Sequence, residues 1–88
     1  MFEKIVTVVN RAGLHTRPAA QIVKLAARFK SDVYLSRDGF AINAKSIIGI
    51  MTLAAEQGAN ITIQTNGVDE SDAANELANL FESGFGEN

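Results

Sequence analysis

Ile61-Thr62-Ile63-Gln64-Thr65-Asn66-Gly67-Val68-Asp69-Glu70-Ser71-Asp72 passes from strand to helix in a single stretch. Apolar and polar residues alternate from Ile61 to Thr65, the pattern of a strand with one buried face. Asn66-Gly67 is turn sequence. Asp69, Glu70, Ser71 and Asp72 supply a cap and favourable charge for a helix N-terminus. The helix they open carries Ala73, Ala74, Leu77, Leu80 and Phe81 on one stripe, and Gly84 ends it. Residues 85–88 are expected to fray. A one-faced strand beside a one-striped helix points to an α+β domain.

The same pattern repeats towards the N-terminus. Glu3 to Val9 is rich in β-branched residues, and Ile5-Val6 and Val8-Val9 break the alternation. That predicts a central strand packed on both faces. Thr16 to about Phe29 reads as a helix burying Ala19, Ile22, Val23, Ala26 and Phe29. Val33-Tyr34-Leu35 and Phe40-Ala41-Ile42 are short strands joined through the hairpin dipeptide Asp38-Gly39. Ser46 to Leu53 reads as a short apolar helix with Ser46 as its cap. The order is strand, helix, strand, strand, short helix, strand, helix. Four strands and two longer one-striped helices most simply give a sheet covered on one face. Residues 1–88 then form one domain, with no linker or repeat.

Composition removes several classes of function. With no cysteine, neither a disulfide nor a thiolate metal site can be built, and a single histidine argues against a zinc site, so no metal or cofactor is expected. No apolar run approaches the ~20 residues of a membrane span, and Met1-Phe2-Glu3-Lys4 does not open a signal peptide. A cytoplasmic protein is the expectation. The net charge of −2 hides a polarity: residues 1–45 hold all eight Lys and Arg against three acids, while residues 46–88 hold seven acids and no Lys or Arg. A basic N-terminal half attracts acidic partners or phosphate. Its cations are dispersed and not interleaved with aromatics, which argues against nucleic acid.

The chemistry concentrates in Gly13-Leu14-His15-Thr16-Arg17-Pro18-Ala19-Ala20. His15, the only histidine, stands at the start of the predicted helix. Neutral imidazole is a nucleophile near pH 7, and a phosphoryl group on it forms a high-energy linkage. The unpaired N–H groups from Thr16 onward can donate to phosphate oxygens. Arg17 offers a permanently charged fork, Pro18 presets a first-turn φ, and Gly13 allows close approach. Taken alone, a histidine before a helix is more often a cap or a surface residue. A hydrolase using His15 as general base would need an orienting group, and none is evident in the sequence.

Two strings together carry a resemblance. Gly13 to Ala19 is similar to the active-site signature of the histidine-containing phosphocarrier (HPr) family. Asn43-Ala44-Lys45-Ser46-Ile47-Ile48-Gly49-Ile50-Met51 is similar to its second signature. The likeness runs across essentially the whole chain. Thr16 replaces an alanine common in the family, and Ala54-Ala55 departs from the glycine often found after the short helix. The resemblance implies an open-faced sandwich in the order βαββαβα, an antiparallel four-stranded sheet with three helices on one face. It also implies a carrier of the phosphoenolpyruvate-dependent sugar phosphotransferase system, not a turnover enzyme. Enzyme I would phosphorylate His15 on Nδ1, with Thr16 and Arg17 contacting the phosphate. The group would then pass to IIA domains of sugar permeases. A shuttling carrier is expected to be a monomer.

Ser46 and the residues after it carry a second expectation. The Ser46 hydroxyl as N-cap contributes about 1 kcal/mol. The resemblance adds a regulatory role, phosphorylation by an ATP-dependent HPr kinase. The added charge of about −1.5 to −2 would be tolerated by the helix dipole and would repel an acidic partner. A chiefly regulatory protein, acting through phosphorylated Ser46 on a transcription regulator, is the alternative, as is a nitrogen-branch phosphocarrier. Ile47 to Leu53 is too apolar for one face of a short helix, so Ile47, Ile48 and Met51 are expected to stay partly exposed and to dock partners beside His15 and Arg17.

Overall fold

The computed structural model describes residues 1–87. Its elements are β1 (Phe2–Thr7), α1 (Thr16–Ala26), β2 (Asp32–Arg37), β3 (Phe40–Asn43), α2 (Ile47–Thr52), β4 (Asn60–Asn66) and α3 (Glu70–Glu82), followed by a 3-10 turn at Gly84–Gly86. The strands form one antiparallel sheet in the order β1-β4-β2-β3. Val33, Leu35, Ile61 and Ile63 from the middle strands pack with Ala19, Ile22 and Ala26 of α1 and Leu77 and Phe81 of α3 in a single core. Ile50 of α2 joins them. The opposite face is open, with Ile5, Tyr34 and Phe40 exposed. This is the open-faced sandwich.

β1 is an edge strand, paired only with β4, and is not central. Val6 and the following Val8 are buried, whereas Ile5 and Val9 are 73% and 48% exposed. Apolar residues on the uncovered face imitate burial on both sides, which is why the local pattern misleads. α1 stops at Ala26, before Phe29. There Arg28 and Phe29 donate their N–H groups to the carbonyls of Leu25 and Ala26 in tightened i→i−3 bonds. Phe29 still packs against the core. The β2–β3 hairpin turns through Asp38 and Gly39, with φ of 51° and 84°. Two positive φ values make the turn whose twist matches the flanking strands.

Asp69 stands at the N-cap position of α3 but its side chain does not cap the helix. It reaches across to the start of β2, where the Ser31 hydroxyl and the Lys30 and Ser31 amides all donate to it. These bonds hold its carboxyl down at about 2, the Ser31 hydroxyl contributing most and the Lys30 amide next. Favourable charge at the α3 start comes instead from Glu70 and Asp72.

Candidate functional site

His15 is the N-cap residue of α1, with φ −79° and ψ −169°, and makes no side-chain cap to its own helix. No acidic residue lies in the first turn. The head of α1 therefore has no side-chain cap and no acid of its own first turn, and the dipole adds positive potential there. Thr16 and Arg17 are exposed in that turn, while Pro18 and Ala19 are buried against the core. The His15 side chain is 42% exposed.

The loop before His15 is held from two sides. Leu14 is buried and donates its N–H to the Ala55 carbonyl at 2.9 Å. Gly13 has φ +73°, and a β-carbon there would meet the Ala55 carbonyl oxygen at 2.4 Å. Only glycine meets both demands. On the inner side, buried Asn10 donates from Nδ2 to the Gly13 carbonyl at 2.8 Å. Ala55, the second residue of the Ala54-Ala55 pair, thus supplies the backbone oxygen against which the His15 loop is braced.

The same Asn10 Nδ2 donates at 2.9 Å to Oε1 of Glu87, and Glu87 lies on His15: Nε2 is 2.9 Å from Oε1 and 3.2 Å from Oε2. The tail does not fray as expected. Gly84 and Phe85 both take positive φ, 69° and 60°, which turns the chain back after α3. Phe85 is 3% exposed and meets Phe81 edge-on with ring centroids 5.1 Å apart. Gln21 of α1 donates to the Phe85 carbonyl at 3.1 Å. Burying one aromatic ring contributes about 1.5–3 kcal/mol, and the Gln21 bond adds to what opposes fraying. Asn88 lies outside the described residues. His15 thus has an orienting carboxylate after all. Its signal was Gly84-Phe85-Gly86-Glu87, an aromatic anchor between glycines with an acid after it.

Hydrogen bonds from His15 and then Asn10, helped by the charges of His15 and Arg17, hold the Glu87 carboxyl below its ordinary range. The Arg17 charge is thus felt at the Glu87 carboxyl.

Ser46 caps α2 as expected, its Oγ accepting from the Gly49 amide at 3.1 Å. Ile50 and Leu53 face the core, whereas Ile47, Ile48 and Met51 are 39%, 74% and 41% exposed. α2 packs beside α1, and Lys45 Nζ donates to the Phe29 carbonyl just beyond α1 at 2.9 Å. Among the described residues no three His, Asp or Glu side chains converge as a metal site. No helix in them is long and apolar enough to cross a membrane.

Residues 2–83 match the family model described as PTS HPr component phosphorylation site. Phosphocarrier protein HPr of Cupriavidus necator is 42% identical over 87 residues, covering 99% of this chain and 98% of that one. The HPr-like protein Crh of Bacillus subtilis is 46% identical over 78 residues, covering 89% and 92%. A crystal structure of HPr from Thermoanaerobacter tengcongensis superposes with a TM-score of 0.96 at 42% identity, covering 100% of this chain and 99% of that one.

Proposed function

Because the chain belongs to the HPr family of phosphocarrier proteins, we propose that His15 is the residue that carries its phosphoryl group. Enzyme I is the donor and IIA domains of sugar permeases are the acceptors. The observation that carries this reading is the place of His15, with a half-exposed ring at the uncapped head of α1. An arriving phosphoryl group meets the amides of Thr16 and Arg17 and the Arg17 guanidinium, so its charge is met by donors already in place. No reorganisation of the loop is needed, because Gly13 and Leu14 are already locked against Ala55. Incubation with enzyme I and phosphoenolpyruvate, followed by mass mapping, tests the assignment. One phosphoryl group on His15 supports it, and none overturns it.

Partners bind across α1 and α2 together in this reading. Exposed Ile47, Ile48 and Met51 supply apolar contact, and α1, which carries Arg17 and Lys24 and no acid, supplies positive charge. Phosphorylation of Ser46 by an HPr kinase would place a dianion at the edge of this surface. The helix dipole tolerates that charge, while an acidic partner is repelled.

The likeness to Crh favours a second reading, in which phosphorylated Ser46 acts on a transcription regulator and transport is secondary. Enzyme I labelling distinguishes the two: a protein labelled on Ser46 by the kinase but never on His15 by enzyme I is regulatory.

A further inference from the structure

We propose that Glu87 is a positioning residue for His15, holding the imidazole proton on Nε2 and so leaving the Nδ1 lone pair free as the nucleophile. The inference rests on His15 being the phosphoryl acceptor and supplies the physical reason why Nδ1, the nitrogen the family resemblance implies, is free to accept. The residues matched to the family model end at 83, before the tail begins. The carboxylate is thus supplied by a segment outside the matched region.

The argument is one of donors and acceptors. An ionised carboxylate has no proton to give, so Nε2, lying within reach of both its oxygens, must be the donor. Asn10 fixes the carboxylate in turn. Its Nδ2 donates at once to Oε1 of Glu87 and to the Gly13 carbonyl, and neither of these can donate back. Turning the Asn10 amide over would set its oxygen against two acceptors, so its orientation is determined. Buried Phe85 and the Gln21 bond to its carbonyl keep the tail from sliding away. The low Glu87 carboxyl range agrees with an acceptor that stays ionised.

This arrangement separates proton from phosphoryl transfer. The Nδ1 lone pair forms a bond to the donor's phosphorus. The bond from phosphorus to the donor breaks, and its electron pair leaves with the donor. The ring keeps its Nε2–H throughout and becomes cationic, facing the carboxylate that already accepts that proton. In the onward step the phosphorus–Nδ1 electron pair returns to Nδ1. No proton moves on His15 in either direction, so the carrier can be loaded and unloaded without a general base.

Because His15 is the only histidine, its ring nitrogens are read without ambiguity in a long-range 1H–15N correlation spectrum. The spectrum is taken on the unphosphorylated protein at about pH 9, where imidazole is neutral. The wild-type protein should show a protonated Nε2 and a bare Nδ1. Glu87→Gln should keep that tautomer, because an amide oxygen accepts the same bond. Glu87→Ala should give a mixture and slow phosphorylation by enzyme I and phosphoenolpyruvate about tenfold or more. A wild-type proton on Nδ1, or an unchanged tautomer ratio in Glu87→Ala, would overturn the proposal. The spectrum needs no phosphorylation, so a wild-type protein that never acquires phosphate on His15 refutes the carrier reading separately.

Discussion

Gly13 sits so tightly against Ala55 that any side chain on it would enter the Ala55 carbonyl, its β-carbon 2.4 Å from the oxygen. The contact joins the loop that presents His15 to the segment that follows α2. The opposing atom is backbone, so it cannot swing aside as a flexible side chain would.

Gly13→Ala should therefore destabilise the domain by about 3 kcal/mol or more, from a left-handed φ and an overpacked contact acting together. For a domain of this size that lowers Tm by roughly 12–24 °C, measured by calorimetry. Phosphorylation of His15 should slow in the same variant at temperatures where it stays folded. A Tm within two or three degrees of wild type (about 0.5 kcal/mol) would show that the loop is not braced there.

Ser46→Ala removes the bond to the Gly49 amide and should cost about 1 kcal/mol, a fall of roughly 4–8 °C in Tm. Ser46→Asp can still cap, so it should hold nearly wild-type stability. Its added charge should nevertheless weaken enzyme I binding, measured by titration calorimetry. Full stability in Ser46→Ala, or equal enzyme I affinity in Ser46→Asp, would contradict the account.

Ile48 is 74% exposed on α2, so Ile48→Asp should leave thermal stability within about 0.5 kcal/mol of wild type. The same change should weaken enzyme I binding about tenfold or more, because a carboxylate then sits in an apolar contact. Ile47→Asp should act alike with a somewhat larger loss of stability, since Ile47 is 39% exposed. Unchanged affinity in both variants would remove α2 from the docking surface.

Asp69 sets an acid limit on the fold. Its carboxyl is held at about 2, chiefly by the Ser31 hydroxyl and then by the Lys30 amide. A depressed folded value means that stabilisation is complete above the unfolded value of about 3.9 and is lost as pH falls through the folded one. Tm should therefore drop between about pH 4 and pH 2, and Asp69→Asn should lower Tm at neutral pH and flatten that acid limb. A wild-type Tm constant across the window would show that these bonds contribute nothing to folding.

The elements were legible because their signals are local. Alternation in Ile61–Thr65, the Asp38-Gly39 turn and the Ser46 cap each depend on a few adjacent residues, and each stands where expected. His15 and Arg17 were legible for a similar reason, since the helix head that unites them is continuous in sequence. What escaped depends on distant parts of the chain. Whether Ile5 faces a core or solvent depends on helices covering only one face of the sheet. Glu87, 72 positions further along the sequence, reaches His15 through a turn at Gly84 and Phe85. Asp69 forsakes its own helix for Ser31 because the sheet brings the start of β2 beside it.

The central claim is that His15 holds the phosphoryl group. The wild-type protein and His15→Ala should be incubated in parallel with enzyme I and phosphoenolpyruvate, then mapped before and after brief acid treatment. The account predicts one acid-labile phosphoryl group per wild-type chain, on His15, and none on the variant. An unlabelled wild-type chain, or label that survives on the variant, would contradict it.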